Sequence, residues 1–165
     1  MTFASLKQSL ADIQKGLQSG AYAKHALEGR RDEVMVFQHQ QLFNGKQSNG
    51  ENIRPYYSED LKPQGYFRSK DSAERYAAWK QVGVVRGNRD PDAPNLYING
   101  KFHDELGVEL GENTITIKGF TPYAAQIVDK YGIATFGLTA QSWGEMLNQR
   151  GMAQEIMDAI IQDIR

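Results

Sequence analysis

The sequence predicts an α+β fold, with long N-terminal helices and a C-terminal helix packed around a small antiparallel β-sheet and joined by long loops. Apolar residues recur at helical spacing near both ends of the chain. One central stretch, VELGENTITIKG, instead alternates apolar and polar residues about a turn. Between these segments lie polar stretches rich in glycine, proline and asparagine. At 165 residues, the chain fits a single domain, 1–165, that buries about two-thirds of the surface its unfolded form exposes.

Phe3, Leu6, Leu10, Ile13 and Leu17 form the stripe of an amphipathic helix ending near Ser19-Gly20. A stripe needs a surface to cover it, either the domain's own core or a neighbouring subunit, so residues 1–20 are expected to dock on one of the two. A second, long helix is expected from Ala21 to about Phe43, with Gly29 as its weak point. Within it His39 lies in FQHQQLF, among glutamines and with no obvious metal partner.

The stretch NGKQSNGENIRPYYS reads as a loop with at least two turns, at Asn44-Gly45 and Asn49-Gly50. SEDLKPQGYFR is irregular too, broken by Pro63 and Gly65. In SKDSAERYAAWKQ, Ser69 or Asp71 is placed to cap a short helix burying Ala73, Tyr76, Ala77 and Trp79. VGVVRGNRDPDAP is a second long loop. Structureless connections this long in a small domain suggest binding segments that partners complete.

Asn99-Gly100 makes a turn, KFHDEL closes one helical turn, and a hairpin sets Val108 and Leu110 against Ile115 and Ile117. Thr121 can cap a helix with Pro122 in its first position, running through YAAQIVDKY to Gly132. Thr139 caps the last helix, whose Trp143, Leu147, Ile156, Ile160 and Ile164 share one face interrupted by Gly151. About five helices are expected in all.

The chain has no cysteine, which removes disulfides, thiolate nucleophiles and cysteine-based zinc sites. Nowhere do enough apolar residues run together to span a membrane, and the N-terminus lacks a signal-peptide core. Net charge is −1, which gives no support to nucleic-acid binding by charge alone. Its distribution is polarised: Arg54–Arg89 holds eight basic against four acidic residues, whereas Asp90–Arg165 holds five against eleven. Opposite faces of this kind attract, which suits head-to-tail stacking of copies.

His103, Asp104 and Glu105 are adjacent, so they point about 100° apart on a helix and do not converge on one atom. No H-E-x-x-H or H-x-x-x-H spacing occurs, and no G-x-S-x-G elbow or phosphate-binding glycine loop. Glu51, Glu59 and Asp71 have no apolar packaging that would raise a catalytic carboxylate's pKa. No catalytic, metal or cofactor residues are therefore assigned. Arg68, Lys70, Arg75, Lys80, Arg86 and Arg89, with Tyr66, Phe67, Tyr76 and Trp79, offer a basic aromatic patch, for which a subunit interface is preferred over single-stranded nucleic acid.

The segments QQLFNGKQSNGENIRPYY, YFRSKDSAERYAAWK, PNLYINGKFHDEL and DKYGIATFGLT resemble a family of small structural proteins of tailed phages and prophages of Bacteroidetes-type hosts. The likeness spans most of residues 21–165. Residues 94–106 are also similar in kind to a segment of the wider tail-completion and minor-tail group, with Asn99 where that group often has threonine. The resemblance implies a non-enzymatic virion protein, assembled in the host cytoplasm. It would stand at the neck between portal and tail, as a ring of roughly six or twelve copies contacting portal, connector or tail proteins. Tyr56, Tyr57, Tyr66 and Phe67 are the expected contacts, with Arg68 and Arg75 against acidic residues such as Asp158 or Asp163 of the next copy. The alternatives are a minor virion or nucleic-acid-binding accessory protein and, less favoured, a small cell-wall hydrolase.

Overall fold

A computed structural model of the chain describes residues 3–57, 67, 69–83, 94–111 and 114–163. Over them the fold is α+β, with helices packed about one two-stranded antiparallel sheet. Helix α1 (Phe3–Gln18) and α2 (Ala21–Glu28) form a hairpin in which the Tyr22 ring lies against the backbone of Gly16. A Cβ at position 16 would sit 2.5 Å from that ring, so the close approach requires glycine there.

The long second helix expected from Ala21 to Phe43 is two helices, α2 and α3 (Arg31–Phe43). The break falls at Gly29-Arg30, where Arg30 leaves helical geometry at φ −119°. Its guanidinium donates to Glu33 at 2.7 Å, to Glu155 at 2.5 Å and to the Arg150 carbonyl at 2.8 Å. A tertiary anchor at this point, rather than Gly29 alone, turns the chain. Ala26, Leu27, Val34 and Phe37 still share one buried face.

Helix α4 (Lys70–Gly83) is capped by Ser69, whose Oγ accepts the Ser72 N–H at 3.3 Å. It buries Ala73 and Ala77 and half-buries Tyr76, but Trp79 is exposed and Lys80 takes its expected place inside. Positions 73, 76, 77 and 80 make the helical stripe, and Trp79 falls beside it. Gly100 precedes the single turn α5 (Lys101–Asp104). Strands β1 (Leu106–Leu110) and β2 (Ile115–Gly119) pair as expected, Val108 opposite Ile117 and Leu110 opposite Ile115.

Helix α6 (Ala124–Tyr131) begins later than Thr121-Pro122 suggests. Thr121 contributes its backbone carbonyl to the Ala124 N–H, while its hydroxyl is buried without a hydrogen-bond partner. Thr139 does cap α7 (Ala140–Asn148), accepting the Ser142 N–H at 3.1 Å. The expected single last helix divides at Gly151, whose φ of 78° is left-handed, and restarts as α8 (Met152–Gln162). Ile164 lies outside the described residues. Gly151 thus does more than interrupt a stripe, because it lets α7 and α8 both reach a core containing Phe37, Ile117, Leu138, Met146 and Met152.

After a 3-10 turn at Ile133–Thr135, residues 136–139 are neither helix nor strand, yet the segment is firmly held. Gln38 donates to the Thr135 carbonyl at 3.1 Å and accepts the Gly137 N–H at 2.8 Å. Gln41 donates to the Gly137 carbonyl at 2.8 Å and accepts the Thr139 N–H at 2.9 Å. Both amides are buried, and each serves as donor and acceptor at once. A third glutamine, Gln47, donates to the Tyr131 carbonyl at 2.6 Å. The loop from Asn44 to Tyr57 is thereby fastened to its own domain, with Ile53 fully buried and Lys46 bridged to Asn52.

Substituting Gln38→Leu removes both bonds to residues 135–137 and should destabilise the protein by about 2–4 kcal/mol, since buried backbone groups lose their partners. Gln40, which is exposed on the same helix, serves as the control, and Gln40→Leu should leave the urea midpoint nearly unchanged.

Candidate functional site

A cavity of about 610 Å³ opens between α4, the segment before α5, α5 itself and α6. Its size is that of small-molecule sites, which run from roughly 300 to 1,000 Å³. Aromatic rings make much of the wall. Tyr56 packs edge-on against Tyr76, with centroids 5.1 Å apart, and Phe67 lies 4.9 Å from Tyr76. Phe102, Tyr123 and Tyr131 enclose the cavity from the α5 and α6 side.

Two lysines enter this apolar setting. Lys80, on α4, is 2% exposed, and its ammonium donates to the Tyr56 hydroxyl at 2.8 Å and to Asn95 Oδ1 at 2.7 Å. Among the described residues no carboxylate pairs with it. Burial without a counter-charge pushes its pKa down to about 8. Lys130, on α6, is 4% exposed, with Nζ 5.5 Å from the Phe67 ring centre and 5.1 Å from that of Tyr131. Burial lowers its pKa as well. Burial pushes the Tyr56 hydroxyl far up, so it stays neutral beside Lys80.

Asn95 is the node that holds this wall. It is 1% exposed, and its side-chain oxygen also accepts the Tyr97 N–H at 3.2 Å. Between them Leu96 takes φ 55°, a left-handed conformation costing a non-glycine residue about 1–2 kcal/mol. The Asn95 carbonyl accepts from His103 Nε2 at 3.0 Å. That bond places the His103 proton on Nε2 and leaves Nδ1 a buried acceptor with no partner. His103 stacks on Phe43 at 4.6 Å, and burial, with the nearby Lys80 and His39 charges, moves its pKa down to about 4. Asp104 and Glu105 are exposed. The His103-Asp104-Glu105 cluster is a corner built on one buried neutral imidazole, as its spacing implied.

The residues expected at an interface separate. Tyr56 is 7% exposed and belongs to the interior with Ala73 and Ala77. Tyr57 and Phe67 are half-buried against that group. Arg75 is exposed and pairs with Asp71 at 2.8 Å on its own helix. Tyr66 and Arg68 lie outside the described residues, as do Glu59, Arg86 and Arg89. Asp158 accepts from Gln154 at 2.8 Å and Asp163 from Tyr22 at 2.5 Å. The basic aromatic patch loses Lys80, which points inward, while Glu51 and Asp71 are exposed surface acids. Lys80, Asn95 and Lys130 carry the site; Lys80 was expected on an exposed basic patch, and Asn95 and Lys130 were not singled out from sequence. The i, i+7 step from Ala73 to Lys80 was the available signal for one of them.

Among the described residues no group of three or more histidine, aspartate and glutamate side chains could hold a metal. No helix among them is long and apolar enough to cross a membrane. Comparison with protein-family models, with curated proteins and with solved structures finds no match to this chain. The class that fold and site define is therefore physical: an α+β domain with an aromatic cavity containing two buried lysines.

Unfolded His103 titrates near 6.5 and the folded residue near 4. Between those values only the unfolded chain binds this proton, so stability falls as pH drops from 6.5 toward 4. At about pH 4.5 the loss attributable to this residue is roughly 2 kcal/mol relative to neutral pH. Urea unfolding at both pH values should show a correspondingly smaller acid loss in His103→Phe. An equal loss in the variant would assign the acid sensitivity to other groups.

Proposed function

We propose that the chain is a non-catalytic assembly subunit of a tailed-phage virion, a head–tail connector or tail-completion protein that joins copies of itself at the neck. The observation that supports assembly is the state of α1. Of its stripe, Ile13 is 9% exposed, whereas Leu10 and Leu17 are 57% and 58% exposed and Leu6 is at the margin. An amphipathic helix that leaves most of its apolar face in water, while packing on α2 through the rest, is a surface awaiting a partner.

A second copy fits that surface best. The charge distribution along the chain is complementary to itself, with a basic middle and an acidic C-terminal part. Exposed Arg75 on α4 and exposed Asp158 on α8 are available to a neighbour, each held among the described residues by exposed contacts within its own helix. Placement at the neck, next to portal and tail proteins, rests on the resemblance carried by the four segments quoted above. The buried glutamine contacts make a rigid body to which such an interface can be attached.

Light scattering after size exclusion tests this reading. Wild-type mass should rise with protein concentration, and the double variant Leu10→Glu/Leu17→Glu should remain monomeric. Its thermal midpoint should move little, because both residues are exposed. Arg75→Glu should weaken association and reduce its salt dependence. A wild-type mass that stays monomeric at every concentration, or association indifferent to the α1 substitutions, would overturn the proposal.

A further inference from the structure

We infer that the cavity between α4 and α6 is a binding site for a small amphipathic anion, a planar apolar body carrying one carboxylate, with Lys80 receiving the carboxylate and Lys130 adding positive charge to the same wall. This is independent of the assembly proposal, since it uses no residue of α1. Three observations carry it. The cavity is of small-molecule size and walled by aromatic rings, which select a flat apolar body. Two lysines, 2% and 4% exposed, reach that same wall from different helices.

The third observation is the kind of partner Lys80 has. Tyr56 and Asn95 give its ammonium two neutral oxygen acceptors, and no carboxylate among the described residues balances the charge. Buried lysines are normally paired, because an uncompensated charge in an apolar setting is costly. A ligand carboxylate at the cavity wall would supply the missing counter-charge and hold it in a water-poor site, where a charged hydrogen bond is strongest. Neutral ligands of the same shape gain only the apolar contact. Phosphate is less suited, since its second charge and larger hydration shell would have to be shed against a mostly apolar wall.

The probe is 2-naphthoate, titrated into the full chain and compared with its neutral counterpart 2-naphthamide by calorimetry and by amide-resonance shifts. The carboxylate should bind at least tenfold more tightly than the amide, with shifts centred on α4, α6 and residues 94–99. Lys80→Met keeps the apolar stem and should abolish the preference, leaving naphthoate about as weak as naphthamide. If that variant folds poorly, Ile98→Glu decides the matter. Ile98 lines the cavity yet is 51% exposed, so a negative charge there should weaken naphthoate severalfold without disturbing the buried wall or the amide. Equal affinity for acid and amide, no binding of either, shifts elsewhere on the surface, or naphthoate affinity unchanged in Ile98→Glu would each overturn the assignment.

Discussion

The amides of Gln38 and Gln41 are the contact on which the rest of the structure depends. Between the 3-10 turn that ends at Thr135 and the start of α7 the chain has neither α-helix nor strand, so its backbone groups need partners from elsewhere. Helix α3 supplies them with four hydrogen bonds between 2.8 and 3.1 Å, much as an adjacent strand would. Thr139 is held in position to cap α7, and Leu138 and Met146 are delivered to the core beside Val34 and Phe37. Buried amides of this kind favour one arrangement because every alternative leaves some of them unpaired.

The cavity wall uses the same chemistry with a different result. Asn95 satisfies Tyr97, His103 and Lys80 together, so a loop without regular secondary structure becomes a fixed surface. His103 is kept neutral by burial and serves as a donor and a stacking partner. Among the described residues Lys80 is kept in place by neutral acceptors alone. The buried histidine and the buried lysine thus differ in how far their described surroundings have balanced their electrostatics.

Rigidity at the centre also gives meaning to the exposed leucines of α1. The hairpin of α1 and α2 is fixed by Tyr22 on Gly16 and by the bond from Tyr22 to Asp163. A helix held in this way presents Leu10 and Leu17 in a defined direction. Preorganised apolar surface loses less entropy on association than a free segment would, which favours assembly through it.

Much of the architecture was legible in the residues alone. The hairpin register follows from the alternation of Val108, Leu110, Ile115 and Ile117, because a one-residue slip would turn every apolar side chain outward. The Ser69 and Thr139 caps and the breaks at Gly29 and Gly151 are local signals. Local chemistry determined those positions, but not the consequences of the breaks. Tertiary contacts decided that each break would separate two helices, through Arg30 bound to Glu155 in one case and core packing of Met146 and Met152 in the other. They also decided which polar residues lie inside. Gln38, Asn95, Lys80 and Lys130 read as surface residues in sequence, because burying a polar group is favourable only when a partner from a distant segment meets it. Such a partner is a property of the folded chain, and the candidate site is made of residues of that kind.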